Sequence, residues 1–147
     1  MACTLYIQVF GTWEPIQEER VMKRLLIVDN DPDHRLLLRT MFEAKGYGCE
    51  EAEDGSAALS KLGTDQVALV LTDLYMPRMN GLQLINQMGR LALLKKTPAI
   101  LMTSQSIYEM SSHASQAGAF TVISKPFDFP ELLEEVGRAV GQPETVG

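Results

Sequence analysis

Cysteine is nearly absent. Cys3 and Cys49 are the only two in 147 residues, with no Cys-x-x-Cys and no Cys/His cluster, which argues against a redox motif, a disulfide framework and a zinc site. Free thiols point instead to a reducing compartment. Positive charge is also scarce. Thirteen Lys and Arg stand against nineteen Asp and Glu, for a net charge of −6. Lys23-Arg24 and Lys95-Lys96 are isolated pairs and form no basic stripe, so direct nucleic-acid binding is not expected. No apolar run approaches the roughly 18 residues that span a bilayer, and the N-terminus lacks the basic start and apolar block of a signal peptide. A soluble, cytoplasmic protein without a membrane partner is expected.

What is present is an alternation. Strand candidates lie at 24–28, 47–52, 67–72, 98–103 and 119–124, and the unalternating Leu25-Leu26-Ile27-Val28 of the first reads as a strand covered on both faces. Between them lie helical patterns. Residues 32–45 carry Leu37, Leu38, Met41 and Phe42 at helical spacing and stop before Gly46. Residues 55–62 close on Gly63, and 82–92 and 106–117 form two more, the second ending at Gly118. A last helix starts at Asp128, with Glu131 placed for a capping box and Leu132, Leu133, Val136 and Val140 as its inner stripe. Strands alternating with helices of this length imply βαβ units. The fold class expected is therefore α/β: a flavodoxin-like, doubly wound (βα)5 sandwich on a five-stranded parallel sheet of order 2-1-3-4-5. Residues 23–141 make the domain and 142–147 a tail. Residues 1–22 stand outside the pattern as an upstream extension, a cloning remnant or an added short strand such as LYIQVF, with weak order expected.

In such a sheet, ligands bind beyond the carboxyl ends of the strands, near the point where strand order reverses. Here those ends read Asp29-Asn30-Asp31, Asp73, Thr103-Ser104 and Lys125-Pro126. Taken singly, an Asp after a strand is more often a helix cap or turn former, and Asp31 before Pro32 caps the first helix. Convergence at one rim changes that judgement, because unrelated caps have no reason to include a threonine and a lysine. Two carboxylates about 4 Å apart repel by about 4 kcal/mol at an effective dielectric near 20, so Asp29 and Asp73 call for a cation. Magnesium, bound through one or two carboxylates and a phosphate, suits that cleft, and Lys125 and Thr103 suit a phosphoryl group.

Read in order, LVLTDLYMPRMNG, ILMTSQ and ISKPF resemble the motifs of a two-component response-regulator receiver domain, from residue 24 to about 140. The resemblance implies that Asp73 is the phosphoacceptor, loaded from a phosphohistidine on a sensor histidine kinase or a histidine phosphotransfer protein. It implies Mg2+ held by Asp29, Asn30, Asp73 and the backbone carbonyl of Tyr75. Thr103 and Lys125 are then the partners of the phosphoryl oxygens, the Lys125-Pro126 bond is cis, and Pro77 and Gly81 shape the loop after the acceptor. Output is expected as a contact with a downstream protein target, and a homodimer is left open. Such a module promotes only its own phosphorylation and dephosphorylation, so it is not counted as an enzyme.

The chain departs from that family at two places. Asn30 stands where a carboxylate is usual, which predicts weaker metal binding but not its loss, since an amide oxygen still ligates magnesium. Val122 stands where many members carry an aromatic switch residue, with Phe120 or Tyr108 as candidate substitutes. The alternative function is a phosphorylation-independent pseudo-receiver that serves as an interaction module. A haloacid-dehalogenase-like phosphatase needs a second Asp where Tyr75 stands, and a flavin-binding relative needs a phosphate cradle where Asp31-Pro32-Asp33 is acidic. His34 and His113 are both expected on helix surfaces.

Overall fold

The structure, a computed structural model, describes residues 6–15 and 23–141. Two strands, β1 (Tyr6–Val9) and β2 (Thr12–Pro15), form an antiparallel hairpin. Its turn residues Phe10 and Gly11 both have positive φ, 50° and 83°, as a tight two-residue hairpin loop demands. The strand suggested within LYIQVF is thus realised at Tyr6–Val9, while Cys3, the rest of 1–22 and the 142–147 tail lie outside the described residues.

The main body runs β3 (Arg24–Val28), α1 (Pro32–Glu43), β4 (Gly48–Ala52), α2 (Gly55–Thr64), β5 (Leu69–Asp73), α3 (Gly81–Arg90), β6 (Ala99–Thr103), α4 (Ile107–Ala117), β7 (Thr121–Ser124) and α5 (Phe129–Val140). The sheet order is β4-β3-β5-β6-β7, all parallel, which is the 2-1-3-4-5 order expected. No helix among the described residues is long and apolar enough to cross a membrane.

Strand alternation divides the core in two. Leu26, Val28, Val70 and Leu101 pack with Ala58, Leu84, Ile85, Met88, Met110 and Ala114, on the face covered by α2, α3 and α4. Leu25, Ile27, Leu69, Leu71, Ile100, Met102 and Ile123 pack with Leu38, Phe42, Leu132 and Val136, on the face covered by α1 and α5. Phe42 meets Tyr47 and Phe129 edge-on, with ring centroids 5.8 and 5.1 Å apart, each contact worth about 0.5–1.5 kcal/mol beyond area burial. The parity carries a consequence for the rim. Asp29 continues the alternation of Leu25 and Ile27, Asp73 that of Leu69 and Leu71, and Lys125 that of Ile123, so all three leave the sheet on the α1/α5 side.

Two local expectations need correction. Leu37 is exposed, because α1 buries only the narrower stripe of Leu38 and Phe42. Asp128 is the N-cap of α5, but its side chain makes no capping bond. Pro130 at the second helical position leaves the Glu131 N–H as the donor an Asp128 cap would take, and the Asp128 side chain does not take it, so the capping box with Glu131 does not close. A capping box forms instead at α3, where Asn80 and Gln83 bond each other's backbone N–H groups.

Candidate functional site

The rim begins at Asp29, 2% exposed, one residue past the end of β3. Its N–H donates to the Ala52 carbonyl at 3.1 Å, continuing the ladder to β4. Its Oδ1 accepts from Asp31 N–H at 2.9 Å, and its Oδ2 is bonded to His34 Nδ1. Arg35 donates through Nη1 to the Asp29 carbonyl at 2.6 Å and through Nε to Glu51 at 3.1 Å. Burial pushes the Asp29 carboxyl upward, but the His34 hydrogen bond, the Asp31 N–H and the charge of Lys125 outweigh it and hold the group below the usual carboxylate range. Asp29 is therefore an anion in the folded chain at neutral pH.

His34 is the clear miss of the sequence reading. It does not sit on the outer surface of α1; its ring turns back onto Asp29 and lies 6.0 Å from the Phe127 ring. The physical signal was available. Side chains in a first helical turn lean toward the N-terminus, and His34 and Arg35 follow Asp29 by five and six residues, so α1 aims both at the strand end it has just left. His113, by contrast, is exposed on α4 as expected.

Asp73 ends β5 next to β3, and Lys125 follows the end of β7. Lys125 Nζ reaches 2.8 Å from Asp73 Oδ1 and 3.9 Å from Asp29 Oδ2, so one ammonium touches both carboxylates across the cleft. Thr103 is fully buried and its Oγ1 accepts from Gln105 N–H at 3.0 Å. Asn30 is exposed at the mouth. Tyr75 is exposed too, and its hydroxyl is bonded to Gln105, which ties the loop after β5 to the loop after β6. The Lys125-Pro126 peptide is cis. Gly81 is required sterically, because a Cβ there would lie 2.4 Å from the Asp73 carbonyl oxygen. The loop after β5 thus folds directly onto the backbone of Asp73, and Gly81 N–H donates to the Leu74 carbonyl at 2.9 Å.

Among the described residues, no group of three His, Cys, Asp or Glu side chains could hold a metal ion. That excludes a closed structural site but not a magnesium site of the usual kind, which takes one or two carboxylates and fills its remaining positions with carbonyls, waters and phosphate oxygens. Asp29 and Asp73, both within reach of one ammonium, with the Asn30 amide and the Tyr75 carbonyl on the adjoining loops, supply an all-oxygen donor set of that description. The residues present fit the ion.

Residues 25–137 match the family model for the response regulator receiver domain. The regulatory protein AtoC of Escherichia coli is 35% identical over 119 residues, which cover 81% of this chain and 25% of AtoC. Sporulation initiation phosphotransferase F of Bacillus subtilis is 31% identical over 116 residues, 79% of this chain and 92% of that protein. The chain thus spans about a quarter of a relative such as AtoC and corresponds to nearly the whole of the shorter one. Among solved structures, the Vibrio cholerae chemotaxis protein CheY4 superposes with a TM-score of 0.76 at 27% identity, covering 81% of this chain and 99% of that one. The response regulator TrrA from Thermotoga maritima, solved in complex with Mg(2+)-BeF, gives 0.72 at 33% identity over 80% and 99%. Sheet order, the carboxylates joined across the cleft by one lysine, and a match over most of the length agree, and the chain belongs to the response regulator receiver domain family.

Proposed function

We propose that this chain is the phosphoacceptor of a two-component relay, with Asp73 as the residue modified. The observation that carries the reading is the Lys125–Asp73 contact at 2.8 Å, with Asp29 on the same ammonium. Lys125 neutralises the acceptor carboxylate as the donor's phosphoryl group approaches. An Asp73 oxygen then attacks phosphorus and the P–N bond of the donor phosphohistidine breaks. The departing imidazole keeps that electron pair and takes up a proton. Asp29, Asn30, Asp73 and the Tyr75 carbonyl are the groups that would hold Mg2+, which when bound screens the negative charge that gathers between acceptor and phosphoryl oxygens.

The product carries about two negative charges beside Asp29. Lys125 can shift its contact from the carboxylate to the new oxygens, and the Thr103 hydroxyl can turn from Gln105 N–H to donate to them. Thr103 leads into α4 and Lys125 into α5, so both movements bear on the face those helices share with β7, where a downstream protein target would read the change. A sensor histidine kinase or a histidine phosphotransfer protein is the proposed donor. A docking module independent of phosphorylation has no need of Lys125 on Asp73, and that contact favours the relay.

The test is incubation with a small-molecule phosphodonor across a Mg2+ titration, read by intact mass. The relay reading expects a magnesium-dependent gain of one phosphoryl group in the native chain. No gain at any Mg2+ concentration would leave the docking module as the better account.

A further inference from the structure

Asp29 has two oxygens, and donors of the chain engage both: Asp31 N–H on Oδ1 at 2.9 Å and the His34 ring on Oδ2. Oδ2 is also the oxygen that faces the cleft, since it is the one within 3.9 Å of Lys125 Nζ. A cation entering between Asp29 and Asp73 therefore meets Asp29 at the atom His34 already holds. Resting on the metal-assisted reading above, we propose that His34 is a positioning residue that lowers the affinity of the cleft for its divalent cation by competing for Asp29 Oδ2.

The sign of the effect follows from what else holds Asp29. A hydrogen-bonding neighbour often helps a metal ligand by orienting it. Asp29 has little need of that help, because Oδ1 is fixed by Asp31, the Asp29 N–H by Ala52 at 3.1 Å, and its carbonyl by Arg35 at 2.6 Å, all in a buried setting. What the imidazole adds is a donor on one lone pair of the ligating oxygen, which the cation must share or displace. His34 is itself seated, mostly buried and against the Phe127 ring, so displacing it also breaks that contact. A role as a nitrogen ligand is disfavoured, since magnesium is a hard cation that takes oxygen ligands. His34 and the uncharged Asn30 then act in the same direction, each reducing the pull on a divalent cation.

The experiment is Mg2+ binding to the full chain by isothermal titration calorimetry, in the native protein and in four variants. His34→Phe keeps a ring against Phe127 but has no donor, His34→Gln restores a donor, and Asp29→Asn and Asp73→Asn report on the cleft itself. Competition predicts that His34→Phe binds Mg2+ more tightly than the native chain by roughly tenfold or more, the scale of one hydrogen bond to a charged group. His34→Gln returns toward the native value. Equal or weaker binding by His34→Phe overturns the proposal, and weaker binding makes His34 an orienting partner or a ligand. If His34→Phe does not fold, His34→Met poses the same question. Loss of binding in Asp29→Asn and Asp73→Asn with no gain in His34→Phe removes this inference alone. Unchanged binding in all four variants, or no binding in any protein, removes the metal-assisted reading with it.

Discussion

On one flank of the cleft, Asp29 is gripped from every side: its N–H by Ala52, its two carboxylate oxygens by Asp31 and His34, and its carbonyl by Arg35. The helix that supplies His34 and Arg35, α1, is capped by the Asp31 side chain and tied to β4 by Arg35 and Arg39, which both bond Glu51. The opposite flank is built with fewer ties. Thr103 accepts from Gln105 N–H through its hydroxyl, and Ser106, the N-cap of α4, makes no side-chain capping bond. Tyr108, Ser111, Ser112 and His113 of α4 face outward. Under the proposed function, the flank that would hold the cation needs fixed ligands, whereas the flank that would read the phosphoryl group needs elements that open or shift at low free-energy cost.

Gly81→Ala should produce the largest effect, since it strikes the floor common to both flanks. Its methyl would press on the Asp73 carbonyl, so the denaturation midpoint should fall by the equivalent of about 1–3 kcal/mol, and phosphorylation should weaken with it. Near-native stability would show that the loop after β5 does not depend on this close approach. Asn30→Asp comes next. A full charge added at the mouth of the cleft should raise Mg2+ affinity about tenfold, since affinity for hard cations rises with ligand charge count. Unchanged affinity would place the cation away from Asn30.

Arg35→Met tests the gripped flank directly. Removing the bonds to the Asp29 carbonyl and to Glu51 should cost about 1–2 kcal/mol in urea denaturation. On the looser flank, Glu109→Gln near the start of α4 should stay within about 0.5 kcal/mol of native. Equal losses would erase the distinction between the flanks.

The smallest effect is with pH. Asp29 is held below its ordinary pKa in the fold, so it binds protons less readily folded than unfolded. Its stabilising contribution is complete above the ordinary carboxylate pKa of about 3.9 and is lost as pH falls through the lower folded value. An acid titration of stability should therefore be shallower in Asp29→Asn than in the native chain. Parallel curves would show that Asp29 is not specially held.

The sequence made the sheet legible because the inner strands, buried on both faces, read as apolar runs such as Leu25–Val28 and Leu69–Leu71, and the helices between strands close at Gly46, Gly63 and Gly118. Asp29, Asp73, Thr103 and Lys125 were legible for a related reason, since polar residues at the ends of such runs have only the carboxyl rim to occupy. The second ring of contacts was not. His34, Arg35 and Glu51 carry no motif, and each reads as an ordinary surface residue of a helix or edge strand until the lean of the first helical turn is followed in space. The capping box at Asp128 has the same lesson in miniature, because the Asp128/Glu131 spacing is present in the sequence while the Asp128 side chain makes no capping bond.

On the proposed function, Asp73 becomes an acyl phosphate. The most direct test is borohydride reduction of the chain after treatment with a phosphodonor and Mg2+, followed by peptide mass mapping, since aspartyl phosphate is reduced to homoserine and an unmodified carboxylate is not. The account predicts homoserine at position 73, dependent on Mg2+ and on the phosphodonor. Phosphorylated protein with Asp73 intact, or homoserine at another aspartate, would contradict it.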